Sequence, residues 1–389
     1  MQIVVLGAGR VGGAIVRDLS EEAEFSVAVA DLDPLATDRL SGLDVEVRLH
    51  DLSHPSGVAE SIKDADVVVG CVPGFMGYRT VEVALGEGKP VVDISRFEEN
   101  AFDLDALARE AGVPCLVDCG LAPGLSNLIL GHMESALDET TSFKALTGGL
   151  PVERDWPWEY KAPFSPRDVI QEYVRPARMR RNGQDLTLPA LSEVELVHFP
   201  GLGTLEAFNT GGLRTLLETS ATPDLVEKTI RYPGHADRMR IFREAGFFSD
   251  REILAPSGTV KPRDVTETLL FDAWQFDEGE PDLTVGRFTI EGVQDGARVR
   301  HTYDLLDYYN PDTETSSMAR TTGYTCAAMV RLVAGGAWTE PGVAPAEVVG
   351  RNADCFEFVM KHLGERGVHL FHLSLIHISE PTRRRLESR

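Results

Sequence analysis

A glycine-rich segment near the start of the chain has the residue types and spacing that bind a dinucleotide. It reads Gly7–Ala8–Gly9–Arg10–Val11–Gly12, follows an apolar run and opens an amphipathic stretch. A second apolar run ends at Asp31, roughly 20 residues further on, where the acidic residue of this fingerprint stands. Between a strand and a helix, the pattern predicts a Rossmann nucleotide site, which serves hydride transfer. The alternative is an ordinary glycine turn.

Each residue of the pattern has a separate physical task. Gly7 permits the tight turn, Gly9 leaves the backbone open to a pyrophosphate, and Gly12 lets the helix pack close to the strand. The N-terminus of the helix offers free N–H groups and its positive dipole end to the phosphates. Asp31 accepts hydrogen bonds from the adenosine ribose, and with Asp33 it repels a 2′-phosphate. The sequence therefore predicts NAD rather than NADP.

The turn after the predicted fourth strand is expected to run along the nicotinamide. It contains Cys71 and Pro73, and its small residues allow a close approach. The first basic residue after Asp31 is Arg39, which also favours NAD. The predicted cofactor-binding residues are Gly7, Gly9, Arg10, Val11, Gly12, Asp31, Cys71 and Pro73.

Three polar side chains are candidates for acid–base chemistry. Asp118 stands at the end of the predicted sixth strand, where ligands of an open parallel sheet bind. Tyr160 and Lys161 lie in a polar and aromatic segment, residues 154–166, and both side-chain types transfer protons. The alternatives are a plain domain linker after Asp118 and a loop at 154–166 that only packs.

Four further residues are candidates for substrate binding. Arg175 and Arg231 carry guanidinium groups, whose shape matches a carboxylate, although arginines are also common on protein surfaces. His235 follows a Pro–Gly turn, which favours exposure or a site, and Trp156 suits a pocket wall. No Cys/His cluster has metal-ligand spacing, so we predict no metal site.

The elements that position these residues indicate two domains. Through residue 120, apolar runs alternate with helical patterns, which predicts an α/β, doubly wound parallel Rossmann sheet of about six strands. Residues 121–317 predict an α+β substrate and dimerisation domain, with a hairpin that turns at Gln294–Asp295–Gly296. Residues 318–372 predict helices that return to the first domain.

The tail at 373–389 has no periodicity that links it to the preceding fold. It resembles a translated fragment of sequencing-adapter DNA, and we expect it to be non-native. The alternative is a genuine basic tail.

Composition narrows the class of protein. The chain has 389 residues and a net charge of −23, which disfavours a nucleic-acid partner. No apolar run is long enough for a membrane span, and a strand that begins at Gln2 leaves no room for a signal peptide. The five cysteines form no C-x-x-C pair, so we expect free thiols in a cytoplasmic protein.

Several motifs together resemble a known family, the saccharopine dehydrogenase-like oxidoreductases. They are the glycine segment with Asp31, D-C-G-L-A-P-G-L-S-N at 118–127, Y-K-A-P-F-S-P at 160–166, L-E-A-F-N-T-G-G at 205–212 and R-Y-P-G-H at 231–235. Within that group, residues 149–178 and 205–235 look most like lysine 6-dehydrogenases. The resemblance implies a Rossmann domain, a second domain that holds an amino-acid substrate and forms homodimers, and a C-terminal return.

The resemblance also implies an NAD-dependent oxidation of the ε-amine carbon of L-lysine. Its products are ammonia and allysine, which cyclises to piperideine-6-carboxylate. The ammonium must first lose a proton, since its pKa is about 10.4, so we place Asp118, Tyr160 and Lys161 near this carbon. Arg175 or Arg231 would hold the α-carboxylate. The alternatives are a saccharopine dehydrogenase or reductase acting on a secondary amine, and a non-catalytic NAD-binding regulator.

Overall fold

The computed structural model describes residues 1–34, 39–163, 166–256 and 258–377. Residues 164–165 of the Y-K-A-P-F-S-P motif and residues 378–389 of the predicted tail lie outside this part. Among the described residues, no helix has both the length and the apolarity to cross a bilayer.

The elements alternate regularly at first and become strand-rich after residue 138. The strands are β1 Gln2–Leu6, β2 Ser26–Asp31, β3 Glu46–Leu49, β4 Val67–Gly70, β5 Val91–Asp93, β6 Pro114–Val117, β7 Glu139–Pro151, β8 Ala177–Arg181, β9 Gln184–Leu188, β10 Glu195–Phe199, β11 Gly203–Asn209, β12 Asp224–Arg231, β13 Ile253–Ala255, β14 Gly258–Val260, β15 Asp282–Gln294, β16 Ala297–Tyr308, β17 Gly342–Pro345 and β18 Leu370–His377. The α-helices are α1 Arg10–Ser20, α2 Pro55–Ser61, α3 Gly74–Gly86, α4 Asp105–Ala111, α5 Leu125–Ala136, α6 Pro166–Val174, α7 Leu216–Thr219, α8 His235–Glu244, α9 Pro262–Trp274, α10 Ser317–Ala334, α11 Ala346–Gly350 and α12 Ala353–Glu365.

The first sheet is parallel and has seven strands in the order β17-β6-β5-β4-β1-β2-β3. Its central strands are continuous apolar runs, and β1 and β4 are buried on both faces because helices cover the sheet on each side. This arrangement confirms the predicted doubly wound sheet. The strand that the sequence did not predict is β17, which pairs with β6. It has only four residues and lies far along the chain from the other strands.

The second sheet has nine strands and mixes parallel with antiparallel pairs. Strands β7 and β12 are parallel, whereas β15 pairs antiparallel with both β7 and β16. The β15–β16 hairpin closes at Asp295 and Gly296 with φ values of 52° and 75°. Two left-handed residues suit the twist of a two-residue hairpin turn, so the predicted hairpin is confirmed.

One apolar core is continuous from the first sheet to the second. It includes Ile3 of β1, Leu128 of α5 and Phe288 of β15, all fully buried. Helix α10 packs against α1, and Arg331 of α10 contacts the buried Asp18 of α1 at 2.6 Å. The two sheets therefore face each other across a shared helical layer.

The C-terminal segment adds a strand to the second sheet. Residues 370–377 form β18, which pairs antiparallel with β16 from Leu305↔Leu370 to Arg298↔His377. Residues 373–377, the first part of the tail, are therefore paired with the second sheet although their sequence shows no periodicity, and the non-native origin of 373–389 stays a prediction. The apolar residues Leu373, Leu375 and Ile376 are all exposed, so strand pairing rather than core burial places them, and periodicity gives no sign of it.

Candidate functional site

The glycine segment forms a cradle between β1 and α1. Gly7 has a φ of +110°, and a Cβ there would lie 2.6 Å from the carbonyl oxygen of Cys71. A Cβ on Gly12 would lie 2.0 Å from the carbonyl oxygen of Gly7, whereas a Cβ on Gly9 would meet nothing within 4 Å. Two glycines are thus required by packing, and the third leaves space for a ligand. This geometry fits the pyrophosphate of a dinucleotide.

Asp31 folds back onto this cradle from the end of β2. Its carboxylate accepts hydrogen bonds from the backbone N–H of Ala8 at 2.7 Å and of Asp33 at 2.9 Å. Arg10 and Arg39 also line the same end of the cavity. Burial first, and then the neighbouring Arg39, lowers the pKa of Arg10. Arg39 is the first basic residue after Asp31, and its place at the nucleotide end of the cavity is a finding of the structure.

A cavity of about 720 Å³ extends from the cradle to the second sheet. It passes the carboxyl ends of β1, β4 and β5, where ligands of open α/β sheets bind. All of the predicted cofactor-binding residues line it: Gly7, Gly9, Arg10, Val11, Gly12, Asp31, Cys71 and Pro73. Its far end is formed by β7, β12 and α6. We call this far end the substrate end.

Strand β12 supplies much of the substrate end. Alternation along the strand puts Glu227, Thr229 and Arg231 on one face, and all three line the cavity. Thr147 of β7 stands opposite Thr229 in the parallel pair. The Oγ1 of Thr147 and the Nε of Arg231 are buried polar atoms without a partner among the described residues. Such atoms are costly unless a ligand or water satisfies them.

Arg231 is the centre of a buried ionic cluster at this end. The side chain is 2% exposed, and its Nη2 donates to Glu172 at 3.1 Å. Its guanidinium lies over the ring of Tyr160, 4.5 Å from the centroid. Glu172 also accepts from Arg96 at 3.1 Å. Burial raises the pKa of the Tyr160 phenol well above 10, so this phenol stays protonated at neutral pH.

Glu227 differs from the other carboxylates of the cavity. It is 7% exposed, and within the described ranges no donor forms a hydrogen bond to its carboxylate. Burial raises its pKa to about 7; Arg96 and Arg214 lower it, and Glu172 and Asp118 raise it further. The site therefore contains a carboxyl group that changes charge near neutral pH.

Two family models together match most of the chain. The family model described as the saccharopine dehydrogenase C-terminal domain matches residues 120–368, and the model described as the saccharopine dehydrogenase NADP binding domain matches residues 3–116. The chain belongs to the saccharopine dehydrogenase family.

Two relatives within the saccharopine dehydrogenase family are distant in sequence but match this chain over most of their own length. "Saccharopine dehydrogenase [NADP(+), L-glutamate-forming]" of Pyricularia oryzae is 23% identical over 90% of this chain and 90% of its own. The protein of the same name from Saccharomyces cerevisiae is 24% identical over 88% and 92%. The solved structure of apo saccharopine dehydrogenase (L-Glu forming) from S. cerevisiae superposes with a TM-score of 0.77 at 19% identity, covering 96% of this chain and 99% of that one. That likeness confirms the fold.

The three predicted acid–base residues do not meet in this member of the saccharopine dehydrogenase family. Asp118 is buried and pairs with Arg214 at 2.8 Å, and it is not among the residues that line the cavity. Tyr160 contacts Arg231, as described above. Lys161 pairs with Glu280 at 2.5 Å, and together with Tyr160 it lines a separate cavity of about 320 Å³. The prediction that they surround one carbon is therefore wrong.

The predicted substrate residues are also dispersed. Arg231 alone of the four lines the main cavity. Arg175 pairs with Glu98, and Trp156 is 80% exposed beside the separate cavity. His235 is 1% exposed and its Nε2 lies 2.9 Å from the Tyr173 hydroxyl, so the turn before it leads into the core rather than to the surface.

Sequence reasoning missed three charged residues of the substrate end. Arg96 stands three residues after the end of β5, and because ligands of an open parallel sheet bind at such strand ends, its position was a usable signal. Glu172 lies in α6 and Glu227 in the middle of β12, a strand in which Asp224, Lys228 and Arg231 are also charged, so its sequence does not single out Glu227. Neither carboxylate could be distinguished from the many scattered acidic residues before their burial was known.

Proposed function

We propose that this protein is an NAD-dependent oxidoreductase that oxidises the ε-amine carbon of L-lysine to allysine with release of ammonia. One observation carries the proposal: the substrate end combines an arginine that has a free donor with a buried carboxylate that has no partner. Arg231 and Glu227 are four residues apart on one strand face, about 13 Å between Cα atoms. This spacing suits a small molecule with a carboxylate at one end and an ammonium at the other.

The charges of the substrate end favour lysine over a tricarboxylate. Among the described residues, three cationic side chains line it, and each faces an acidic partner. Arg96 and Arg231 bind Glu172 at 3.1 Å, and Lys228 binds Glu195 at 2.8 Å. Saccharopine carries three carboxylates and would need uncommitted cations. A substrate with a net positive charge needs the acidic group that Glu227 supplies.

The proposed cofactor is NAD, held by the cradle around Gly7 and by Asp31. When bound, the oxidised nicotinamide supplies the hydride acceptor. The Asp31 carboxylate at the ribose position disfavours a 2′-phosphate, which supports NAD although the family model is named for NADP. Arg10 and Arg39 lie at the same end of the cavity. Because a guanidinium attracts a phosphate, NADP is the competing cofactor.

The remaining residues of the site have binding roles in the proposal. The unpartnered Nε of Arg231 donates to the α-carboxylate of the substrate, and Thr147 Oγ1 donates a second hydrogen bond. The ring of Tyr160, a neutral phenol, stacks on the Arg231 guanidinium and helps to position it. Asp118 and Arg214 form a buried ion pair. This pair stabilises the turn after β6.

A second candidate function is favoured by the names of the relatives. Saccharopine dehydrogenases act on a secondary amine, and the curated relatives given above carry that name. We expect L-lysine with NAD⁺ to produce NADH, measured by its absorbance, at a rate at least about tenfold above that with saccharopine. Turnover of saccharopine without turnover of lysine would overturn the proposal in favour of this second function.

The cofactor is tested by replacing Asp31. We expect wild-type kcat/KM to favour NAD⁺ over NADP⁺, and Asp31→Ala to reduce this preference about tenfold, because one removed charge repulsion of roughly 1.4 kcal/mol corresponds to that factor. The matched control is Asp44→Ala, which removes an exposed acidic residue of the same domain. A wild-type preference for NADP⁺ that Arg39→Ala abolishes would contradict the prediction.

A further inference from the structure

We infer that Glu227 is the catalytic base of this site, the group that takes a proton from the amine nitrogen of the substrate before oxidation. This inference rests on the proposed function, because it requires an amine substrate. It assigns the step to a strand residue rather than to Asp118, Tyr160 or Lys161, which the structure commits to other contacts.

Packing against neighbouring residues fixes the position of the Glu227 side chain. The residue lies in the middle of β12, lines the cavity and is almost fully buried. Its carboxylate occupies the space above Gly212, where a Cβ would lie 1.4 Å from Oε1. Any side chain at position 212 would therefore displace the carboxylate. The glycine is a positioning residue that keeps this oxygen at the cavity wall.

The other carboxylates of the substrate end are committed to cations. Glu172 accepts from Arg96 and Arg231, and the neighbouring Asp118, outside the lining, accepts from Arg214. Among the described residues, nothing donates to Glu227. A carboxylate that is already bound to arginine is a weak base, because the ion pair stabilises its charged form. Glu227 has no such hydrogen-bonded arginine among the described residues, so it remains a stronger base than Glu172 or Asp118.

The charged groups that face Glu227 come from four segments. Arg96 follows β5, Glu172 belongs to α6, Asp118 follows β6 and Arg214 precedes α7. The two arginines and the two carboxylates oppose each other, so burial is the largest influence, and it raises the pKa of Glu227 to about 7. A base with this pKa accepts a proton and releases it again at neutral pH.

The proposed step is a proton transfer that conserves charge. An N–H bond of the substrate ammonium breaks, an O–H bond forms on Glu227, and the amine keeps the electron pair. The neutral amine could then give up hydride from the carbon that bears it, for which bound NAD⁺ would supply the acceptor, and that carbon and the nitrogen would form a C=N iminium. Water adds to the iminium to give aldehyde and ammonium ion, and Glu227 returns its proton to solvent.

The test is the pH profile of kcat/KM in wild type and in Glu227→Gln. We expect wild type to lose activity below about pH 7, and the variant to lose this acidic limb together with at least about 100-fold of the rate, a typical size for general-base catalysis. NADH binding, measured by fluorescence, is expected to stay within about twofold, since the cradle is untouched. The matched control is Glu267→Gln, a partly buried carboxylate of α9 outside the cavity whose pKa is also raised by burial.

The acidic limb of the kcat/KM profile distinguishes a catalytic role of Glu227 from a structural one. If Glu227→Gln retains the acidic limb, whatever its rate, Glu227 has a structural role and the inference is overturned. If wild type oxidises saccharopine but not lysine, the proposed function fails, and the same profiles with saccharopine still test Glu227. The carboxylic-acid infrared band that is present in wild type and absent in Glu227→Gln, titrated without substrate, provides a readout that is independent of both substrates. A band that does not titrate between pH 6 and pH 8 would also overturn the inference.

Discussion

Replacing Arg231 with methionine is expected to lower the free energy of unfolding by about 3–5 kcal/mol and to abolish measurable substrate binding. Methionine retains the length of the side chain, so the loss reflects charge and hydrogen bonding more than volume. Arg231 is 2% exposed, which makes its removal far more costly than that of a surface arginine.

The physical reason lies in the partners that Arg231 would leave behind. Glu172 would keep only Arg96, which comes from the other domain, and the Tyr160 ring would lose the guanidinium that stacks on it at 4.5 Å. A buried carboxylate that loses a partner is destabilised by more than the pair originally contributed. The α-carboxylate of the substrate would lose its donor in the same substitution.

Urea unfolding and equilibrium binding of L-lysine measure the two effects. The comparison variant is Arg175→Met, which removes a partly exposed arginine that pairs with the exposed Glu98. We expect this second variant to lose less than about 1 kcal/mol, as exposed pairs do. Equal losses in the two variants would show that burial of Arg231 has no special importance.

Glu227→Gln is expected to stabilise the protein at pH 8 while it destroys activity. The pKa of Glu227 is raised from 4.5 to about 7 in the folded protein. Between these two values the folded state binds more protons than the unfolded state, so the contribution of Glu227 to stability falls as the pH rises. Since one pKa unit corresponds to about 1.4 kcal/mol, the charged form costs the folded protein roughly 3 kcal/mol above pH 7.

Glutamine removes this cost because it has no charged form. We expect the variant to match wild type near pH 4.5, where Glu227 is protonated when folded, and to exceed it by as much as about 3 kcal/mol at pH 8. Urea unfolding at both pH values measures the difference, and the control is Glu357→Gln, which changes an exposed residue of α12. A variant that is less stable than wild type at pH 8 would show that the Glu227 carboxylate is stabilised in a way that the structure does not reveal.

The nucleotide domain was predictable because its signals are local. Strands such as Gln2–Leu6 are apolar on both faces, and the cradle from Gly7 to Gly12 is a short contiguous segment with a steric reason for each glycine. Asp31 follows one strand later at the same sheet edge. The chain order therefore predicted the Rossmann sheet and the glycine cradle with Asp31, whereas only the structure placed Arg39 at this end of the cavity.

The substrate end was not predictable in the same way, because it is assembled across distant segments. Arg96, Glu172 and Glu227 come from three separate parts of the chain, and only their pairing in space distinguishes the committed carboxylate from the free one. Tyr160 and Lys161 are adjacent in sequence and both line the separate cavity, yet Tyr160 stacks on Arg231 whereas Lys161 pairs with Glu280. Residue types alone thus predicted a dinucleotide fold and its family, whereas the choice of base and anchor depended on burial and ion pairing, which exist only after the two sheets have packed together.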